Sequence, residues 1–521
     1  MFRTFFTIAV LLFTFPAFAQ PVIEGQILAD KPGPVISRHI YGQFAEHLGR
    51  GVYEGIWVGP DSSIPNTRGI RSDVVEALKA IKVPVVRWPG GCFADEYHWR
   101  DGIGAVDKRP VRKNNWWDSV ESNEFGTHEF MDFAEQIGAD AYLSANVASS
   151  NPTEMREWIE YLTSKGQDSL AQERRANGRD APFKVPYIGI GNESWGCGGA
   201  MTPEYYANEL RRFATFFHKK GFHFHDNHDN SALRVASGAN NFDTNWTDVV
   251  TKNAGPMMDA ISLHYYTLHD GIWPTRNQSK ATGFAANEWN AILYQAMRMD
   301  DVLKAHEAVL DKNDPAKRIG LFVDEWGSWY APTPGTNIAH LEQQNTLRDA
   351  VLAAATLNIF HAHADRVRMA NIAQAVNVLQ AMLITDGGKM AKTPSYYVFA
   401  MYLPFQDATV LPVTVTAPEL TSSDDRFPAF NVSAARATDG KVYVAVANLD
   451  ALNPQHMHLG LGTIKAKAVT GTVLTHARMD AHNVPGAPEV IAPQAYKGGK
   501  VSAGGLLLDI PAKSVVVVRI D

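Results

Sequence analysis

Val185-Pro-Tyr-Ile-Gly-Ile190 runs straight into Gly191-Asn-Glu-Ser-Trp-Gly-Cys-Gly-Gly199, an apolar strand opening into a glycine-rich loop that carries an acid. Ile319-Gly-Leu-Phe-Val323, followed by Asp324-Glu325-Trp326-Gly327, repeats the design. A short run that is apolar throughout belongs to a strand covered on both faces, as in a parallel sheet wrapped by helices. Working outward, the same signal recurs at residues 40–44, 83–87, 141–145, 233–237, 260–264 and 367–370. With 185–190 and 320–323 that makes eight strands separated by helix-length crossovers, the requirement of a (β/α)8 TIM barrel.

The crossovers carry helix signals. Ser72 is a candidate N-cap before Val74, Leu78 and Ile81 at helical spacing. Thr202-Pro203-Glu204 reads as N-cap, N1 proline and first-turn acid, with Tyr206, Leu210, Phe213 and Phe217 on one stripe. Such a stripe is packing surface against the barrel. After Thr393-Pro394 the texture changes to β-rich runs, Val410-Leu-Pro-Val-Thr-Val-Thr416, Val442-Tyr-Val-Ala-Val-Ala447 and Val515-Val-Val-Val-Arg519, divided by turn residues. The expected organisation is a barrel over 38–395 and a C-terminal antiparallel β-sandwich over 396–521, with 20–37 adding an edge strand to the sandwich.

Residues 1–19 read as a cleaved export signal: Arg3, an apolar stretch too short to span a bilayer, and the small-x-small site Ala17-Phe-Ala19. The expectation is therefore an exported chain, periplasmic or extracellular, with no membrane anchor. The formal charge of −7 gives no basic footprint for nucleic acid. Cys92 and Cys197 are the only cysteines. They exclude a disulfide scaffold and leave open both a single bridge and two unpaired thiols.

On the strand count, Glu193 closes the fourth strand and Glu325 the seventh. Two glutamates reaching inward from well-separated strand ends are the equipment for cleaving a glycosidic bond, one as nucleophile and one as acid/base if their carboxyls stand about 5 to 5.5 Å apart. Asn192 can donate to a sugar 2-hydroxyl, and Arg87 can orient Glu325 and keep it ionised.

Further motifs accompany these: Ile40-Tyr-Gly-Gln-Phe-Ala-Glu-His-Leu-Gly49, Arg87-Trp-Pro-Gly-Gly-Cys-Phe-Ala-Asp-Glu96, Ser262-Leu-His-Tyr-Tyr266 and Asn371-Ile-Ala-Gln-Ala-Val-Asn377. In this order the set resembles the α-L-arabinofuranosidases of glycoside hydrolase family 51, over nearly the whole chain. The resemblance implies Glu193 as acid/base and Glu325 as nucleophile. It implies Glu46, Cys92, Asn192, His264, Tyr266 and Gln374 as sugar contacts, with Trp117 and Trp329 as pocket walls. It further implies a retaining, exo-acting enzyme on arabinose-containing oligo- or polysaccharide, without cofactor or metal, in a family that is often oligomeric. Ser194 and Gly327 depart from its commoner residues, which bears on substrate preference and not on chemistry. The alternatives are an endo-glucanase or xylanase on the same barrel, or a non-catalytic carbohydrate-binding protein.

Two histidine groups are metal decoys: His223, His225 and His228 with Asp226 and Asp229, and His361, His363 and Asp365. Neither has the spacing of a metal site. Gly189-Ile-Gly191 lacks the third glycine of a dinucleotide loop, which Ser194 replaces.

Overall fold

The computed structural model describes residues 22–217, 232–272 and 278–521. The export-signal reading of 1–19 and the first histidine group lie outside the described residues. Eight parallel strands close a barrel: Gly42–Phe44, Val85–Trp88, Asp140–Ala145, Tyr187–Ile190, Leu233–Asn240, Ala260–Thr267, Gly320–Ser328 and Val367–Ala373. Each pairs with its neighbour in the chain, and the last closes on the first through Asn371 to Ala373 against Gly42 to Phe44.

The strands differ from the apolar runs at their ends. The first begins only at Gly42, because Arg38–Tyr41 form a 3-10 turn whose Ser37 side chain accepts from His39 N–H. The last four continue past their apolar stretches, so Tyr266 and Glu325 lie inside strands rather than after them. An apolar pattern stops at the first polar residue, whereas a barrel strand continues wherever the barrel interior satisfies that residue. Register shifts between Ser262 and His264, and between Val323 and Trp326, mark where these strands depart from simple alternation. Such irregularities re-aim side chains.

Val85, Tyr142, Tyr187, Val235, Ala260, Phe322 and Met369 form one apolar cluster, contributed by seven of the eight strands. Arg87, two residues along its strand from Val85, brings charge to the carboxyl end, its guanidinium 4.8 Å over the Phe44 ring.

The helix expected after residue 71 spans Ser72–Ala80, with Ser72 as its first residue and no side-chain cap on Arg71. Val74 and Leu78 are buried. The helix Pro203–Thr215 is capped by Thr202, which accepts from Tyr205 N–H, and its Tyr206, Leu210 and Phe213 are buried. Tyr206 OH donates to Ile190 O and accepts from Ser237 N–H, tying the end of the fourth strand to the middle of the fifth.

Two sheets make up the C-terminal sandwich. The expected strand at 410–416 is broken at Pro412, which has no N–H for a ladder. Thr409–Leu411 joins the six-stranded sheet and Val413–Val415 the five-stranded one. Ile23–Ile27 is an interior strand of the five-stranded sheet rather than an edge. It pairs antiparallel with Val413–Val415 and parallel with Gln455–Gly460.

The helix Leu347–Ala362, buried on every side, packs between the barrel and strands Phe430–Arg436 and Val442–Asn448. Its His361 bonds Tyr41 OH at 2.7 Å on one side and Ser433 Oγ at 2.8 Å on the other. His363 instead reaches Glu307 and Asp300, and Asp365 pairs with Lys317, so the second histidine group points three ways. No helix among the described residues is long and apolar enough to cross a membrane.

Candidate active site

Glu193 follows the fourth strand at φ +41°, a conformation uncommon for a residue with a Cβ and one that concentrates at functional sites. The loop around it is held by Asp95, whose carboxylate accepts from the N–H of Asn192 at 2.8 Å and of Val147 at 2.7 Å. Gly198 permits the loop's close return, because a Cβ there would meet Asn192 O at 1.8 Å. Burial pushes the Asp95 carboxyl up to about 7 against the pull of those N–H groups.

Glu325 is buried and gripped at both oxygens. Arg87 Nη1 donates to Oε1 and Tyr266 OH to Oε2, each at 2.8 Å. Arg87 Nη2 also donates to Asn192 Oδ1 at 2.5 Å, which leaves the Asn192 amide N–H groups for other partners. One donor atom each from Glu193, His264 and Glu325 lies within 4.8 Å of the others. An oxygen of each carboxylate therefore lies within 4.8 Å of an oxygen of the other, closer than the roughly 6.5 to 9.5 Å at which an inverting pair leaves room for water.

His264 stands between them. Its Nδ1 is 2.9 Å from Glu193 Oε1 and 3.6 Å from Glu325 Oε2, and its Nε2 is 3.2 Å from Asp324 Oδ1. Burial by itself would lower this histidine, but the charges of Glu325, Asp324 and Glu193 hold it up at about 10. As an imidazolium it donates to Glu193 Oε1, so Oε2 is the oxygen left for an exchangeable proton. Burial first, then the Glu325 charge, raises the Glu193 carboxyl above its ordinary range, with His264 acting against both.

Glu46 forms another wall. Its Oε1 accepts from Phe93 N–H at 3.1 Å and Trp117 Nε1 at 3.0 Å, while Gln374 Nε2 approaches Oε2 at 3.4 Å. Gln374 follows a cis peptide bond. Burial, with Glu325 adding to it, pushes the Glu46 carboxyl up to about 8, so it carries a proton near neutrality. Trp329 meets Tyr266 edge-on, ring centres 5.0 Å apart. Cys92 and Cys197 are joined in a disulfide whose sulfurs stand 4.0 and 3.5 Å from Glu193 Oε2. Of the two alternatives open in the sequence, the bridge is the one observed.

Sequence reasoning missed Asp324, Tyr142 and Asp95. Asp324 lies within 3.5 Å of Arg87 Nε, accepts from Tyr142 OH at 2.7 Å and backs His264. Its proximity to Glu325 was visible, but strict alternation assigns neighbours to opposite faces, and only the register shift beside it brings both inside.

A parallel barrel with two carboxylates facing across its carboxyl end, one beside a cation and one beside an imidazolium, defines a glycosidase of the (β/α)8 class. The family descriptions Alpha-L-arabinofuranosidase 1 domain and Alpha-L-arabinofuranosidase C-terminal domain match residues 77–281 and 324–514. The chain is 45% identical to an intracellular exo-α-L-arabinofuranosidase of Bacteroides ovatus over 96% of both chains. The crystal structure of the family 51 arabinofuranosidase of Xanthomonas axonopodis pv. citri superposes with a TM-score of 0.92 at 49% identity, covering 96% of this chain and all of that one. The α-L-arabinofuranosidase of Thermotoga maritima in complex with arabinose superposes with a TM-score of 0.81 at 28% identity, over 96% of this chain and 99% of that one. The chain belongs to the α-L-arabinofuranosidases of glycoside hydrolase family 51.

One expectation is corrected by these relatives. The Bacteroides ovatus enzyme, alike over nearly its whole length, is named intracellular, which points away from export through residues 1–19 and from a periplasmic or extracellular site of action.

Proposed function

We propose that this enzyme removes terminal α-L-arabinofuranosyl units from arabinose-containing oligo- or polysaccharides by double displacement at the anomeric carbon. Glu325 attacks that carbon while Glu193 gives its proton from Oε2 to the glycosidic oxygen, so the C–O bond breaks and the leaving sugar departs as an alcohol. Glu193, now a carboxylate, takes a proton from water as the water oxygen attacks the same carbon and frees Glu325. Retention follows from two inversions. The observation that carries this reading is the pair of carboxylates within 4.8 Å of each other and of His264, one gripped by Arg87 and Tyr266 and the other left its proton.

Asn192 and Glu46 serve the sugar: the amide donates to the 2-hydroxyl, and the protonated Glu46 carboxyl bonds a hydroxyl at the far side, with Cys92, Gln374, Trp117 and Trp329 around the ring. The catalytic unit is taken as residues 38–395, with 20–37 and 396–521 forming the sandwich. The test is arabinose release from 4-nitrophenyl α-L-arabinofuranoside against the xylo- and glucopyranoside analogues. Preference for the arabinoside, with the α-furanose as first-formed product, supports the reading. Faster cleavage of unsubstituted xylan or glucan chains would replace it with the endo-acting alternative.

A further inference from the structure

The pocket holds a pair of sulfurs that take no part in the proton and bond transfers of double displacement. Cys92 and Cys197 sit against Glu193 Oε2, the oxygen left for the catalytic proton, and the three donor atoms lie within 4.8 Å of one another. All three residues are half-buried rather than sealed. Disulfides persist in oxidising compartments and are kept as thiols in reducing ones, so the chemistry of this corner depends on its surroundings.

We infer that the reduced form of this corner binds a thiophilic divalent cation such as Zn2+, with Cys92, Cys197 and Glu193 as ligands, and that the bound ion stops catalysis. A dithiol reductant supplies two electrons and two protons and leaves as its own disulfide, while the Cys92–Cys197 bond becomes two thiols. Cation binding then forms two metal–sulfur bonds and one bond to Glu193 Oε2, and releases both thiol protons and the Glu193 proton to solvent. Tetrahedral Zn2+ with bonds of about 2.3 Å needs its sulfurs about 3.8 Å apart. The Cα atoms of the two cysteines are 5.5 Å apart, a spacing from which side-chain rotation alone opens the sulfurs to that distance. Two soft thiolates and one carboxylate are a donor set that favours zinc over magnesium or calcium. The fourth position is left to water.

Loss of activity rests on the reading of Glu193 as acid/base, because a metal on Oε2 displaces the proton it must deliver. Binding of the ion does not rest on it.

The test uses the whole chain in two states, oxidised, and reduced by a phosphine that is then removed without air. Cd2+ reports binding through thiolate-to-metal ultraviolet absorption, and Zn2+ is titrated against hydrolysis of an aryl arabinofuranoside. The expected result is one thiolate-bound Cd2+ per reduced chain, and a rate lowered about a hundredfold by one equivalent of Zn2+ and restored by a chelator. The oxidised chain shows neither response, and reduced Cys197→Ser loses both. No thiolate band in the reduced chain, or a band undiminished in Cys197→Ser, overturns the site. A full band with an undiminished rate removes Glu193 from the ligand set and equally overturns the proposal. Failure of the acid/base reading shows separately, as a Glu193→Gln enzyme that still turns over substrates with poor leaving groups.

Discussion

At the scale of single residues, the site works by giving two identical carboxyls different surroundings. Glu325 has a cation and a phenol as donors, whereas Glu193 is half-buried opposite that negative charge. A raised Glu193 carboxyl stays protonated above the ordinary carboxylate range, so the basic limb of the kcat/KM profile should lie above pH 4.5. Glu193→Gln should lose about 10²- to 10⁴-fold on substrates with poor leaving groups. On an activated dinitrophenyl arabinofuranoside it should lose little in the first step, and its profile should lack the basic limb. An unchanged basic limb in that variant would assign the titration to another group. Asp324 backs both Arg87 and His264 without facing the opposite carboxylate itself. Asp324→Asn should therefore lower kcat about tenfold to a hundredfold with KM nearly unchanged, the scale of one charged hydrogen bond. A large rise in KM with kcat intact would mean that Asp324 shapes sugar binding instead.

At the scale of elements, the barrel strands were legible wherever they were apolar, and illegible where they turned polar. Ala260-Ile-Ser-Leu-His264 announces a strand, but nothing in the pattern says it continues to Thr267, because the groups that satisfy Tyr266 come from a strand far along the chain. Glu193 and Glu325 were readable from their positions after apolar runs. Asp95 was not, since its partners are backbone N–H groups of loops more than fifty residues away. Pro412 was visible, and its meaning as a crossing from one sheet to the other was not, because sheet membership is decided by distant partners. The helix Leu347–Ala362 carries a testable consequence. Burial lowers its His361 from 6.5 to about 3, so the folded chain keeps this ring neutral where the unfolded chain protonates it. Its contribution is complete above pH 6.5 and is lost as pH falls from 6.5 towards 3, with a slope of at most about 1.4 kcal/mol per pH unit. His361→Gln should be less stable at pH 7 yet show a shallower loss between pH 6.5 and 4 in denaturant titrations. An equally steep loss would place the acid sensitivity elsewhere.

At the scale of the whole molecule, the sandwich takes strands from residues 23–27 and from residue 409 onward, and the buried helix Leu347–Ala362 packs against two of its strands. Ile23–Ile27 lies between two strands of the five-stranded sheet, so removing it leaves both neighbours with unpaired edges. A chain starting at residue 38 should show a thermal midpoint lowered by several degrees and a tendency to associate, measurable by calorimetry and light scattering. Its remaining folded fraction should keep the substrate preference of the full chain, because the strand contributes no group to the pocket. A truncated chain with unchanged midpoint would show that the interior position of this strand contributes little to stability.

The most direct test of the assignment of Glu325 and Glu193 is to catch the covalent intermediate. Glu193→Ala, given a dinitrophenyl α-L-arabinofuranoside, should form the arabinosyl-enzyme quickly and hydrolyse it slowly. Mass spectrometry of a rapid acid-quenched peptic digest should then find one arabinosyl unit on the peptide containing Glu325. No adduct, or an adduct on any other residue, would contradict the account.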